Sequence, residues 1–263
     1  MLKNVRLLDP CTRTDDIRDI LISEGKVRKI ERELYLDATL MARANGERLK
    51  VYDCSGLCAA PGFVDVHVHL REPGFEYKED IESGARAAAK GGFTTIVAMA
   101  NTNPPIDTPQ RVFEVLKKGR KALINVKTCA CITKGMKGEE PADMKELREA
   151  GAIGFTDDGR PLLDENLARE VMRYARSIKM PLSFHEEDPA YIKENGINHG
   201  YASDEMHIYG SDRMAEISMV ARDCKLARET GATISIQHIS AKESVELVRK
   251  AKKMGLRVFA EAT

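Results

Sequence analysis

The spacing of apolar and polar positions changes near residue 60. Before that point, residues 19–30 hold two strand-like runs around Glu24-Gly25, the pattern of a hairpin. The first residues lead into another strand-like run, and residues 51–56 into a further short one. Residues 31–50 are charged and irregular, which predicts a surface insertion. Together these runs predict a small β domain over residues 1–60, with no catalytic cluster in it. From Gly62 onward the order strand, loop, helix repeats. Strand-like runs fall at 63–70, 94–100, 126–132, 153–156, 181–185, 233–238 and 257–260.

The helical patterns between them have recognisable ends. Thr108-Pro109 predicts an N-cap with proline at the first helical position, followed by apolar Val112, Phe113, Val115 and Leu116. Leu167, Val171, Met172, Ala175 and Ile178 share one helical face. Ser240 and Glu243 have the spacing of a capping box, ahead of Val245, Leu247, Val248 and Ala251, and Gly255 ends that helix. Gly91-Gly92 predicts a helix C-cap and turn. Apolar strands alternating with amphipathic helices predict parallel β/α units. Seven such strands, with no G-x-G-x-x-G turn after the first, favour a TIM-type barrel over a doubly wound sheet. The fold class is therefore α/β, with the barrel over residues 61–263. Catalytic groups of such barrels collect at the C-terminal strand ends.

Composition narrows the function classes. Lysine plus arginine equals 41 and aspartate plus glutamate equals 41, so no basic excess points to nucleic acid or an anionic membrane surface. Tryptophan is absent and aromatics make up 5%, which argues against a base-stacking surface. No apolar run approaches the roughly 20 residues that span a bilayer. The start of the chain lacks a signal segment, so a cytoplasmic protein is expected. Six cysteines are too few for a disulfide scaffold at this length, and Cys54 and Cys58 have no second pair for a zinc ribbon. Cys129 and Cys131 fit buried free thiols better than ligands, and all six are expected to be reduced.

The chemistry sits at the strand ends. Four of the six histidines, His67, His69, His185 and His238, close predicted strands, while His199 and His207 lie in polar, loop-like sequence. Side chains alternate along a strand, so His67, His69 and Arg71 share one side. Asp157-Asp158 ends the fourth strand, and one of the two can face the barrel mouth while the other turns away. A carboxylate among four imidazoles can bridge two divalent cations. That donor set predicts a mono- or binuclear hydrolase centre, with zinc as the metal and an ionised water as nucleophile. Arg71 can take a carboxylate bidentately, and Asn101, ending the second strand, can serve the same anion. Glu72, Glu186 and Glu187 are the nearest spare acids, with surface charge expected for each.

At these residues the sequence resembles the dihydroorotases of the amidohydrolase superfamily. The motifs are Pro61-Gly-Phe-Val-Asp-Val-His-Val-His-Leu-Arg-Glu-Pro73, Gly91-Gly-Phe-Thr-Thr-Ile, Met99-Ala-Asn-Thr102, Phe155-Thr-Asp-Asp-Gly159, His185-Glu-Glu and Gln237-His-Ile-Ser240. The resemblance implies a barrel with a small β domain and interconversion of L-dihydroorotate and N-carbamoyl-L-aspartate in pyrimidine synthesis. It implies His67 and His69 on a first metal, His185 and His238 on a second, and Asp158 as the bridge. One or two Zn2+ per chain follow, with Arg71 and Asn101 on the substrate carboxylate. It also implies a small-molecule substrate bearing carboxylates, and self-association or association with aspartate transcarbamoylase as partners.

Two departures stand out. Met99-Ala-Asn-Thr102 replaces Met-Pro-Asn-Thr. Glu261-Ala-Thr263 corresponds to the end of the seventh strand, so the eighth strand and its general acid/base aspartate are expected beyond Thr263. An incomplete, seven-stranded barrel is expected, weak or inactive alone. The competing readings are an allantoinase- or dihydropyrimidinase-like hydrolase, which usually carries lysine at the Asp158 position, and a non-catalytic partner of aspartate transcarbamoylase.

Overall fold

The hairpin expected around Glu24-Gly25 forms in the computed structural model, which describes residues 1–194 and 196–263. Strands β1 (Leu2–Asp9), β2 (Thr14–Ser23) and β3 (Lys26–Glu31) pair antiparallel in sequence order. Glu24 and Gly25 both adopt positive φ, +50° and +69°, the hand that a two-residue hairpin turn requires. Residues 31–50 depart from the irregular insertion expected of them, because helix α1 (Tyr35–Ala44) forms there. Ala38 and Ala42 lie four apart on its buried side, and Leu34, Ala38, Met1 and Leu21 make a small core. Leu36, Leu40 and Met41 lie exposed on the other face, so the apolar residues of this stretch follow no buried helical period. Short β4 (Tyr52–Asp53) and β5 (Cys58–Ala59) pair parallel with β1. Met1–Phe63 form one unit and Val64–Thr263 a second.

The second unit follows the predicted alternation. Its elements are β6 (Phe63–Val68), α2 (Ile81–Lys90), β7 (Phe93–Ala98), α3 (Pro109–Gly119), β8 (Asn125–Thr128), α4 (Met144–Glu149) and β9 (Phe155–Thr156). They continue with α5 (Glu165–Ser177), β10 (Leu182–Phe184), α6 (Tyr201–Glu205), α7 (Met214–Thr230), β11 (Ile234–Ile239), α8 (Lys242–Lys253) and β12 (Val258–Ala262). Strands β6-β7-β8 form one sheet and β9-β10-β11-β12 another, both in sequence order. A parallel bridge between Ala130 and Phe155 joins the strand that leaves β8 to β9. β7 and β8 are parallel, as are β9 to β12 throughout. This is the α/β class expected from the sequence.

The core explains why the helices cover these strands. Leu182, Ile234 and Ile236 are fully buried on β10 and β11, against Val171, Met172 and Leu226 from the helices. Each such side chain contributes about 1.5–3 kcal/mol by leaving water. Asp164 caps α5 by accepting from Asn166 and Leu167 N–H, at 2.7 and 3.0 Å. The face predicted for α5 is the one buried.

Three local expectations change. Thr108 precedes Pro109 at the start of α3 but makes no side-chain cap. Phe113 of that helix is 48% exposed, with Arg120 over its ring, while Val112 and Val115 carry the buried face. The capping box at Ser240 does not form, because the Ser240 hydroxyl donates to Glu216 and Glu243 accepts from Arg213. Partners from other elements outcompete the local cap. No helix among the described residues is long and apolar enough to cross a membrane.

Candidate metal centre

The four histidines that the sequence placed at strand ends are brought to one cluster with Asp158. His67 lies on β6 and His69 one residue beyond it; Asp158 follows β9, His185 follows β10 and His238 lies on β11. His67 Nε2 and His69 Nε2 are 3.3 Å apart, and each stands 3.5 Å from an oxygen of Asp158. On the other side, His185 Nδ1 and His238 Nε2 are 2.9 Å apart, with His185 Nδ1 3.8 Å from Asp158 Oδ1. The donors therefore form two triads that share Asp158, each with its ligand atoms within 4.8 Å of one another. Ligands about 2.1 Å from a tetrahedral cation lie about 3.4 Å apart, so these separations suit a divalent ion on an N/O donor set.

Backbone geometry aims these groups. His238 has φ of +33°, in the left-handed region that disfavours a histidine. It sits where the β11–β12 register slips between Ile236 and Ile239, and a bulge of this kind re-aims a side chain. The two aspartates divide as alternation requires. Asp157 turns away and accepts from Ile132 N–H at 2.8 Å, from Thr133 N–H and from the Thr133 hydroxyl. Burial pushes its carboxyl up to about 6 against those bonds. Asp158, 4% exposed, faces the histidines. Asp157→Ala leaves two buried N–H groups without acceptors and is expected to cost about 2–4 kcal/mol. A urea titration checks this, and a loss below about 1 kcal/mol would contradict the anchoring role.

Electrostatics tie the cluster together. Burial alone raises the Asp158 carboxyl, but the hydrogen bond and charge of His67, with His69 and His185, hold it below the usual range. Burial lowers His67, and the carboxylates of Asp158 and Glu261 more than reverse this, to about 9. His69 is lowered, by burial first, with the positive charges of Arg71 and His67 adding to it against the Asp158 carboxylate. His238 is lowered by burial and by neighbouring His185.

Three side chains that the sequence reading did not place as ligand-orienting groups meet the outer ring nitrogens. Glu261 of β12 meets His67 Nδ1, Glu187 Oε2 lies 3.2 Å from His185 Nε2, and Asn101 Oδ1 lies 3.1 Å from His69 Nδ1. The Asn101 amide also donates to Asp158 Oδ2 at 2.8 Å, so the residue expected on a substrate anion is engaged within the cluster. Sequence alone signalled Glu187 only as an acid beside a candidate ligand. Surface charge fails as a description of the other two spare acids. Glu186 is 4% exposed, its carboxyl pushed well up by burial and by Asp223. Glu72 accepts from Ile81 N–H at the start of α2 and from Lys118.

Arg71 follows the pair on a backbone with φ of +59°, and no carboxylate pairs with its guanidinium among the described residues. His199 and His207 are exposed, as expected of loop residues. Cys129 and Cys131 are buried free thiols, with burial pushing Cys129 up to about 12, so neither offers a ready thiolate.

Comparison with known proteins gives a consistent picture. A family profile described as dihydro-orotase-like matches residues 56–244. The dihydroorotase of Clostridioides difficile (strain 630) is 49% identical over 263 residues, covering 100% of this chain and 60% of that protein. The dihydroorotase of Streptococcus pneumoniae serotype 4 is 44% identical over 261 residues, covering 99% and 60%. The chain thus spans about 60% of the length of the curated relatives it matches. Among solved structures, an L-hydantoinase (dihydropyrimidinase) from Arthrobacter aurescens superposes with a TM-score of 0.79 at 22% identity, covering 99% of this chain and 57% of that one. A D-hydantoinase (dihydropyrimidinase) from Thermus sp. gives 0.73 at 21% identity, covering 99% and 57%. At that identity the likeness concerns the fold.

Proposed function

The chain belongs to the dihydro-orotase-like family, and from that premise we propose that it carries the metal-binding part of a dihydroorotase. The protein would interconvert L-dihydroorotate and N-carbamoyl-L-aspartate. The observation that carries this reading is the pair of ligand triads sharing Asp158, with the charge of Arg71, which pairs with no carboxylate among the described residues, acting on His69. His67, His69 and Asp158 would hold one zinc ion, and Asp158, His185 and His238 a second. Bound zinc supplies a Lewis acid for the scissile carbonyl and lowers the pKa of water.

The chain's own residues do the rest. Asn101 holds the His69 ring and one oxygen of Asp158 in place. The guanidinium of Arg71 offers two parallel donors to the substrate carboxylate and so orients the ring amide toward the centre. The general acid/base aspartate that the family resemblance implies is assigned to none of these residues, so the 263-residue chain should turn over substrate weakly or not at all. The architecture proposed is seven strands of an (β/α)8 barrel. Strands β6 and β12 stand at the outer ends of the two sheet orders, and Val64, Val66 and Phe259 there are 51–58% exposed. The domain division proposed is a small β domain over 1–60 and the barrel part over 61–263.

The dihydropyrimidinase-like alternative is weaker on two grounds. Asp158 belongs to both triads, where such hydrolases usually carry lysine, and an uncharged ring gives Arg71 nothing to bind. The metal-stripped chain is expected to take up one to two Zn2+, measured by elemental analysis after dialysis. The loaded chain should then bind N-carbamoyl-L-aspartate at least about tenfold more tightly than uncharged dihydrouracil in calorimetry. Zinc uptake near zero, or equal binding of the two ligands, would sink the assignment.

A further inference from the structure

Glu261 and His67 are 194 residues apart in sequence, yet the carboxylate of one meets Nδ1 of the other. Their side chains are 26% and 12% exposed, and no lysine or arginine pairs with Glu261 among the described residues. The opposite ring nitrogen, Nε2, is the one that faces His69 and Asp158. A neutral imidazole carries one proton, and which nitrogen keeps it is set by the acceptor on the other side. An acceptor at Nδ1 leaves the Nε2 lone pair free for a cation and stops the ring from rotating.

We propose that Glu261 is the positioning residue of the His67–His69–Asp158 site, holding His67 with Nδ1 protonated and Nε2 turned to the cation. This rests on the metal-centre reading given above. His69 and His185 show the same arrangement, with Asn101 on Nδ1 of the first and Glu187 on Nε2 of the second. Glu261 differs from both in its origin. It comes from β12, which among the described residues is not paired with the strand that carries His67, so the link between them is this side-chain contact. It is also outside both ligand triads, reaching the centre only through the ring. The role is therefore orientation of a ligand, and Glu261 does not touch substrate.

The test is titration of the metal-stripped 263-residue chain with Co2+, read by calorimetry and by the visible d–d absorption of the bound ion. Glu261→Ala is expected to weaken one class of site about 10- to 100-fold while the thermal midpoint of the metal-free chain stays near the parent's. Glu261→Gln keeps an acceptor for the Nδ1–H and should recover most of the loss, with a d–d spectrum like the parent's. Parent-like affinity in both variants overturns the proposal. Loss of a whole equivalent of Co2+ in Glu261→Ala also overturns it, because that would make Glu261 a ligand. A parent chain that binds no Co2+ overturns the metal-centre reading and this inference with it, so the two failures are distinguishable.

Discussion

Asp158→Ala is expected to weaken divalent-cation binding at least 100-fold at both triads, since each loses its only anionic donor. No other described residue belongs to both triads. The side chain is 4% exposed and lies within 3.8 Å of three imidazoles, so nothing from solvent replaces it well. Asp158→Asn separates charge from shape. The amide fills the same space but leaves four neutral imidazoles facing a dication with no counter-charge, so it should lose nearly as much. Calorimetric titration with Co2+ or Zn2+ decides the matter. Retention of parent affinity within about threefold in the alanine variant would show that the triads do not share a ligand.

Gly74→Ala is the second large effect, and it acts through the backbone. Gly74 has φ of +92°, and a Cβ there would stand 1.8 Å from the carbonyl oxygen of Asn103. Two loops are locked at this point. Asn103 N–H donates to the Pro73 carbonyl at 3.0 Å, joining the segment that follows Arg71 to the segment that follows Asn101. The methyl group must push these loops apart and hold an unfavourable φ as well, a combined cost of about 3 kcal/mol or more. In a chain of this size that corresponds to a fall in Tm of roughly 6–12 °C. A melt within about 2 °C of the parent would mean that the loops part without cost. Because the same loops carry Arg71 and Asn101, ligand binding should weaken along with stability.

Much of the site was legible because its signals are local. His67-Val-His69 needs only the alternation of a strand to put two imidazoles on one side. His185 and His238 were visible as polar residues closing apolar runs, and the division of labour between Asp157 and Asp158 follows from the same alternation. The helix in residues 35–44 was hidden because its buried side is only alanine, while its large apolar residues Leu36, Leu40 and Met41 are exposed, so no apolar face stands out. The capping box at Ser240 misled because Glu216 and Arg213 arrive from α7 and its start, which no local pattern reports.

Sequence by itself determined the α/β class, the order of strands and helices, and the histidines that converge, while which of Asp157 and Asp158 joins them came only from the resemblance. These depend on period, on turn residues and on spacings of one or two residues. Tertiary structure alone decided which nitrogen of each ring faces inward. It also decided that Asn101 bridges His69 and Asp158, and that Glu261 reaches His67 from the far end of the chain. The physical reason is range. A strand's alternation fixes the side on which a residue emerges, but a proton's place on an imidazole is fixed by whichever acceptor packing brings against it.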